Sequence, residues 1–327
     1  MTRVLLIAPP FFGYFRDIAE EFEKLGFAVD YVQDRPSNGV VFKSLGRISY
    51  GLVQKSIDSH FATLLSRLRE RSYDLVFFVG GMSICFTRKQ VEELRNASGA
   101  VFGLYLWDAL GNCQRVRDYT DLFDFVFSFE PGDCDERTIR FLPLFYVDDY
   151  AQVPAVPEGG FDFDACFIGS VHQVSKFENV KRMVDVLEAN GARVFCHYYM
   201  PSRLAALLRG ATHRVYRGAD LKFESLGRRE IVQIYAHSRT VIDSPQGGQG
   251  GLTMRTMEAL GAKRRLITAN PAVKEYDFFR FGNVMVCEGG NMPDATFAAS
   301  DPVEIPRNIY KRYSISSWLD RLLQAVE

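Results

Sequence analysis

The sequence predicts an α/β protein of two domains, each a parallel sheet with helices packed on its faces. Three observations carry that prediction. Short apolar runs alternate with amphipathic stretches along the whole chain. The length, 327 residues, exceeds what one compact core holds at roughly 100–200 residues per domain. A segment rich in Pro and Gly, residues 150–161, separates two runs of the same alternating pattern.

The first run opens with a buried strand at Arg3–Ala8, stopped by Pro9 and Pro10. Phe15, Ile18, Phe22 and Leu25 then share one helical face, and Gly26 ends the helix. A second strand follows at Phe27–Val32, and a helix at Ile57–Arg71 carries Phe61, Leu64, Leu65 and Leu68 at core spacing. Between them, Lys43, Arg47 and Lys55 are interleaved with Phe42, Leu45, Ile48 and Leu52. That mixture reads as an amphipathic surface helix, or as an interfacial one making a weak peripheral membrane contact. Strands at Tyr73–Val79, Val101–Trp107, Phe123–Phe129 and Ile139–Leu144, with a helix near Thr87–Asn96, complete this half. The second run holds strands at Phe163–Ile168, Arg193–Tyr199, near His213–Tyr216, Thr240–Asp243, Arg264–Thr268 and Asn283–Cys287. Its helices are Lys176–Ala189, Ser202–Leu208, Arg228–Ala236 and Thr253–Leu260, and a final helix covers Ser316–Val326. The expected division is a domain at 1–152, a second at 160–306, and a C-terminal helix in 307–327 that crosses back to the first.

Composition excludes several classes. With 39 Lys and Arg against 40 Asp and Glu, the chain is no polyelectrolyte built to coat nucleic acid, and no nucleic-acid partner is expected. At 47% hydrophobic and 24% charged residues it is a folding sequence rather than a disordered one. No run of 18 apolar residues occurs, and the N-terminus reads as a strand rather than a leader. Cys85, Cys113, Cys134, Cys166, Cys196 and Cys287 form no CxxC pair, so reduced thiols and a cytoplasmic setting are expected. His60, His197, His213 and His237 lack zinc-site spacing, and the D-x-D strings at Asp162–Asp164 and Asp133–Asp135 read as solvated or capping residues. No metal and no cofactor is expected.

The most informative stretch runs from Val241 to Gly261, a strand, a loop with four glycines in five positions, and a helix. Glycine there lets main-chain amides approach a ligand closely. Thr253 suits the N-cap, and the free amides and positive end of the helix suit phosphate. Arg255 and Glu258, three apart, project from one face, where a cation can neutralise a diphosphate and a carboxylate can accept from a ribose diol. A glycine-rich turn followed by a surface ion pair is the plainer alternative. Neither GxGxxG nor GxxxxGK[ST] occurs, which counts against a nicotinamide enzyme and a P-loop NTPase.

The segment GLTMRTMEALGAKRRLIT resembles the donor-site region of two-domain glycosyltransferases of the GT-B architecture, bacterial capsule and lipopolysaccharide type. The pattern R-x-x-E-A-L-x-x-G falls here on Arg255, Glu258, Ala259 and Leu260, with Gly261 in the neighbourhood of its last position, followed by Leu266-Ile267-Thr268. The first half offers Leu104-Tyr-Leu-Trp-Asp-Ala, Phe123-Asp-Phe-Val-Phe-Ser-Phe-Glu and Phe141-Leu-Pro-Leu-Phe-Tyr as a similar succession. The resemblance implies two Rossmann-like domains facing across a cleft. It implies that a nucleotide-diphosphate sugar is held by Gly169, Ser170, His172, Gly247, Gly248, Gly250, Gly251, Leu252, Thr253, Arg255 and Glu258. The turn after the first strand of the second domain lacks the basic residue common in relatives, having Ser170, His172 and Gln173 instead.

On the acceptor side, Gly13, Tyr14, Gly80 and Gly81 fall at expected carboxyl ends of strands, where α/β sheets bind ligands. Asp108, directly after a strand, is the candidate general base for an acceptor hydroxyl, with a helix N-cap as the equal alternative. The expected activity is glycosyl transfer to a glycan or lipid-linked glycan in surface polysaccharide assembly, at or near the inner face of the plasma membrane. A nucleotide-sugar epimerase of the same architecture and a non-catalytic sugar-nucleotide or polysaccharide binder are the other two readings.

Overall fold

The computed structural model describes residues 2–10, 12–39, 42, 49–135, 137–245 and 250–326. The chain divides into two compact units, Met1–Pro143 with Ile315–Glu327, and Leu144–Ser314.

The first unit contains β1 (Arg3–Ala8), α1 (Tyr14–Lys24), β2 (Ala28–Gln33), α2 (Gln54–Glu70), β3 (Leu75–Gly80), α3 (Arg88–Asn96), β4 (Val101–Leu106), β5 (Phe125–Ser128) and β6 (Arg140–Phe141). All six strands are parallel, in the order β2-β1-β3-β4-β5-β6. Every residue of β3, LVFFVG, is buried, because helices cover both faces of a parallel sheet. Helix α3 starts at a reciprocal capping box, in which Thr87 Oγ1 accepts from the Gln90 amide and Gln90 Oε1 accepts from the Thr87 amide. Of the cation-rich stretch expected at 42–55, residues 43–48 lie outside the described residues; the remainder ends in a 3₁₀ turn, Tyr50–Val53, leading into α2.

The second unit contains α4 (Asp148–Ala151), β7 (Phe163–Ser170), α5 (Val174–Ala189), β8 (Val194–Tyr199), α6 (Arg203–Thr212), β9 (Leu221–Lys222), α7 (Arg228–Ala236), β10 (Ser238–Asp243), α8 (Met254–Gly261), β11 (Arg265–Thr268), β12 (Val284–Val286), α9 (Ala295–Ala299) and α10 (Arg307–Lys311). Its six strands are again parallel, in the order β12-β11-β10-β7-β8-β9. The strand expected near His213–Tyr216 is instead a 3₁₀ turn, Arg214–Tyr216. Arg217 explains the difference: its guanidinium donates to Gly210 O and Ala211 O, which keeps the chain folded against the end of α6.

The first unit ends at Pro143, ahead of the Pro- and Gly-rich segment expected to link the domains. That segment is fastened within the second unit. Lys263 donates to Ala151 O and Val153 O, and Arg264 to Pro154 O and Ala155 O. Two side chains thus satisfy four carbonyls that no regular structure serves.

After the second unit the chain returns to the first as α11 (Ile315–Leu323). Helix α11 packs on α1 and buries Trp318 completely, its ring centroid 4.9 Å from Tyr105 and 6.1 Å from Phe77. Among the described residues no helix is long and apolar enough to cross a membrane.

Candidate functional site

In both sheets the chain first builds outward one way and then returns to build the other way. The reversal lies between β1 and β3 in the first unit and between β7 and β10 in the second. Crevices outside the carboxyl ends of strands at such reversals are where open α/β sheets bind ligands.

In the second unit, Gly169 and Ser170 end β7 and Asp243 ends β10. Asp243 is fully buried and organises the loop that follows. Its Oδ1 accepts from Arg255 Nη1 at 2.7 Å, and its Oδ2 from Thr253 Oγ1 at 2.7 Å and Thr256 Oγ1 at 3.3 Å. Thr253 is the N-cap of α8 and accepts from the Thr256 amide at 3.2 Å, so its hydroxyl is fully engaged inside the protein. The remaining amides of the first turn carry the positive end of the helix dipole.

Arg255 is pre-positioned rather than free. Its guanidinium is ion-paired to Asp243 and lies over the Phe167 ring, 5.4 Å from the centroid. Burial works against its charge, but Asp243 and, after it, Tyr235 and Glu258 outweigh burial and hold the guanidinium above its ordinary value. A Cβ on Gly169 would stand 2.6 Å from Arg255 Nη2, so the glycine makes room for the arginine. Glu258, half-buried on the next turn, acts electrostatically on both Arg255 and the buried Tyr235. Leu252 is buried (2% exposed). Gly251 is buried and its carbonyl accepts from Asn270 Nδ2 at 3.1 Å, while Gly250 is half-buried. Gly247 and Gly248 lie outside the described residues. His172 is exposed, its Nδ1 2.7 Å from Ser170 Oγ.

Two residues here escaped the sequence reading. Asn270, 3% exposed just after β11, pins the end of the glycine loop. Lys176, in the first turn of α5, is the more telling. Burial, and then the neighbouring Arg255, lower its ammonium to about 8, while Asp243 pulls the other way. Among the described residues no carboxylate forms an ion pair with it. Lys176 adds a second cation beside the Arg255–Asp243 pair.

In the first unit a cavity of about 430 Å³ opens at the reversal point. Tyr14, Trp107, Arg35, Gly80, Met82 and Asp108 contribute to its wall. The rings of Tyr14 and Trp107 stand 5.6 Å apart, and Gly80 holds φ +152° at the end of β3. Asp108 Oδ2 accepts from the Met82 amide at 3.0 Å. Burial pushes its carboxyl upward, against the Met82 amide and the charge of Arg35. Gly13 and Gly81 do not line the cavity. Gly13 starts α1 with φ 79°, and a Cβ on Gly81 would lie 2.9 Å from Asp108 Cβ and from Cys113 Sγ. Asp34, just after β2, was also missed: burial drives its carboxyl up to about 6, with Ser83 and Arg35 opposing and Asp108 reinforcing the rise.

The acidic pairs have structural partners. Asp164 is bonded by Arg193 and Arg239, Asp133 accepts from the Leu110 amide and Ser128, and Asp135 accepts from the amides of Arg137 and Thr138. Asp162 lies 3.0 Å from His237. Among the described residues no three His, Cys, Asp or Glu gather as metal ligands.

No protein-family description and no curated protein matches the sequence. Solved structures do match its whole length. The lipopolysaccharide outer core galactosyltransferase WaaB superimposes with a TM-score of 0.54 at 12% identity, covering 99% of each chain. An α-glucosyltransferase solved with UDP and a 13-mer DNA gives 0.57 at 11% identity, over 100% of this chain and 91% of that one. The fold is the GT-B fold. The UDP-GlcNAc 2-epimerase of Neisseria meningitidis, bound to UDP-GlcNAc, shares it at 0.52 and 10% identity over 99% of each chain. GT-B therefore frames both sugar transfer and epimerisation, and the side chains of the two crevices must choose between them.

Proposed function

We propose that this GT-B chain is a glycosyltransferase. It moves a sugar from a nucleoside-diphosphate donor to a glycan or lipid-linked glycan in cell-surface polysaccharide assembly, in the cytoplasm and without a required metal ion. The observation that carries the reading is Lys176, a half-buried cation without an ion-pair partner among the described residues, close enough to Arg255 and Asp243 to feel the charge of both. A cation held at a desolvation cost in a crevice with a helix N-terminus is a site prepared for an anion.

The donor diphosphate takes the charge of Lys176, the first-turn amides of α8 and Arg255, whose Asp243 partner fixes its direction. Glu258 accepts from the ribose hydroxyls. The acceptor occupies the cavity of the first unit, with its hydroxyl at Asp108. In an inverting transfer the proton passes to Asp108, the hydroxyl oxygen bonds to the sugar C1, and the C1–O bond to the diphosphate breaks. Negative charge then grows on the leaving diphosphate, where Lys176 and the amides stabilise it more than in the ground state.

Thermal shift against a panel of nucleotide sugars tests the donor site: one nucleoside diphosphate should raise the Tm of the wild type, and Lys176→Ala should markedly reduce that rise. An unchanged rise in the variant removes the lysine from the site. Asp108→Asn should bind donor normally and lose transfer by about 100-fold or more. Epimerisation is the second reading, favoured by the Neisseria meningitidis neighbour. NMR of the donor incubated alone separates the two, since only an epimerase converts it without an acceptor.

A further inference from the structure

Helix α6 is built the wrong way round for a helix that meets only water. Its small residues, Ala205 and Ala206, are half-buried, and Ala206 packs against the core of the second unit. Its large apolar residues face outward: Leu204, Leu207 and Leu208 are 66%, 71% and 61% exposed, the highest values among the described large hydrophobic residues. Their i, i+3, i+4 spacing puts them on one stripe. None of the ten residues of the helix is buried.

The chain segment that carries the stripe is charged with one sign. Arg203, Arg209, Arg214 and Arg217 fall within residues 201–219, which contain no Asp or Glu. Arg203 and Arg209 stack on Phe223 and Tyr216, and Arg217 holds the carbonyls ending α6. Among the described residues no carboxylate pairs with any of the four. The nearest acid along the chain, Asp220, is taken by Lys222 at 2.7 Å.

We propose that α6 docks the protein on an anionic phospholipid surface, leucines entering the headgroup boundary and arginines meeting the phosphates. Charge complementarity selects this occupant. Two copies meeting through α6 would bring eight unpaired arginines together, and one short helix presents far less than the roughly 800 Å² per partner of a stable protein interface. A bilayer needs no matching shape, only apolar area beside cations. The surface belongs to the second unit and its occupancy requires no nucleotide, so it stands apart from the glycosyl-transfer reading.

The test is co-sedimentation of the full chain with phosphatidylcholine vesicles, with and without phosphatidylglycerol, and no nucleotide present. Pelleting is expected only with phosphatidylglycerol and should fall as salt rises. The triple variant Leu204→Ser, Leu207→Ser, Leu208→Ser should stay in the supernatant. Arg214→Ala should weaken binding by about fivefold, the effect of one cation near such a surface. All four side chains are exposed, and circular dichroism with a Tm checks that each variant is folded. Absence of the wild type from the phosphatidylglycerol pellet overturns the proposal, and so does undiminished pelleting of the triple variant. A wild-type dimer that the triple variant splits, read by light scattering, reassigns the stripe to self-association and overturns it equally.

Discussion

Lys176 shows how a single side chain carries information that composition cannot. Its ammonium is lowered to about 8, so it is mostly charged at neutral pH and loses its proton only slightly above it. In the proposed donor site the charged form binds diphosphate and a bound diphosphate favours the proton, so the expected sign is fixed: donor affinity falls as pH rises through about 8. Calorimetry with a nucleotide sugar, whose two phosphates stay ionised, should show that fall between pH 7 and 9. Lys176→Ala should bind about 10–100-fold more weakly with the pH dependence gone, the effect of one charged hydrogen bond. In the sequence Lys176 looks ordinary, because Glu178, Lys181 and Arg182 surround it and α5 reads as a helix with a solvated face. Only its partial burial beside Arg255 sets it apart. Asp34 hid similarly in a hydrophilic run, QDRPSNG, that resembles a turn.

The elements themselves were largely legible. Buried parallel strands such as VLLIA and LVFFVG read as continuous apolar runs, and the helices between them keep a 3.6-residue period. What the pattern missed is short or governed by distant partners. Strand β9 has two residues, and the 3₁₀ turn at Arg214–Tyr216 depends on Arg217 reaching back to α6. Gly261 illustrates a motif whose reason is packing rather than ligand. A Cβ there would lie 2.6 Å from Tyr146 Cβ and 2.7 Å from its Cγ, while Gly261 O accepts from Tyr310 Oη. Gly261→Ala should therefore destabilise the protein by about 1–3 kcal/mol in urea unfolding, the usual cost of overpacking. Donor affinity at low temperature should survive, because Arg255 sits at the other end of α8 and Tyr146 meets only the Gly261 end.

At the scale of the molecule the first unit is discontinuous. Trp318 fills a seat between Tyr105 and Phe77, and α11 leans on α1. A fragment ending at Pro143 should lack that support and show broad, low-temperature unfolding. Adding a peptide of residues 315–327 should sharpen and raise the transition, followed by circular dichroism. A fragment that melts as cooperatively without the peptide would show that α11 is dispensable.

The return of α11 also sets an order of events on the ribosome. Domains usually fold as they emerge, the N-terminal one first, at about 5–20 residues per second. Here the first unit must wait for all of residues 144–314 to be made before its last helix exists. For on the order of ten seconds or more the nascent chain carries an open apolar seat where Trp318 will go. The second unit, complete in one stretch, has every piece it needs beforehand. Synthesis therefore begins with the first unit and finishes it last.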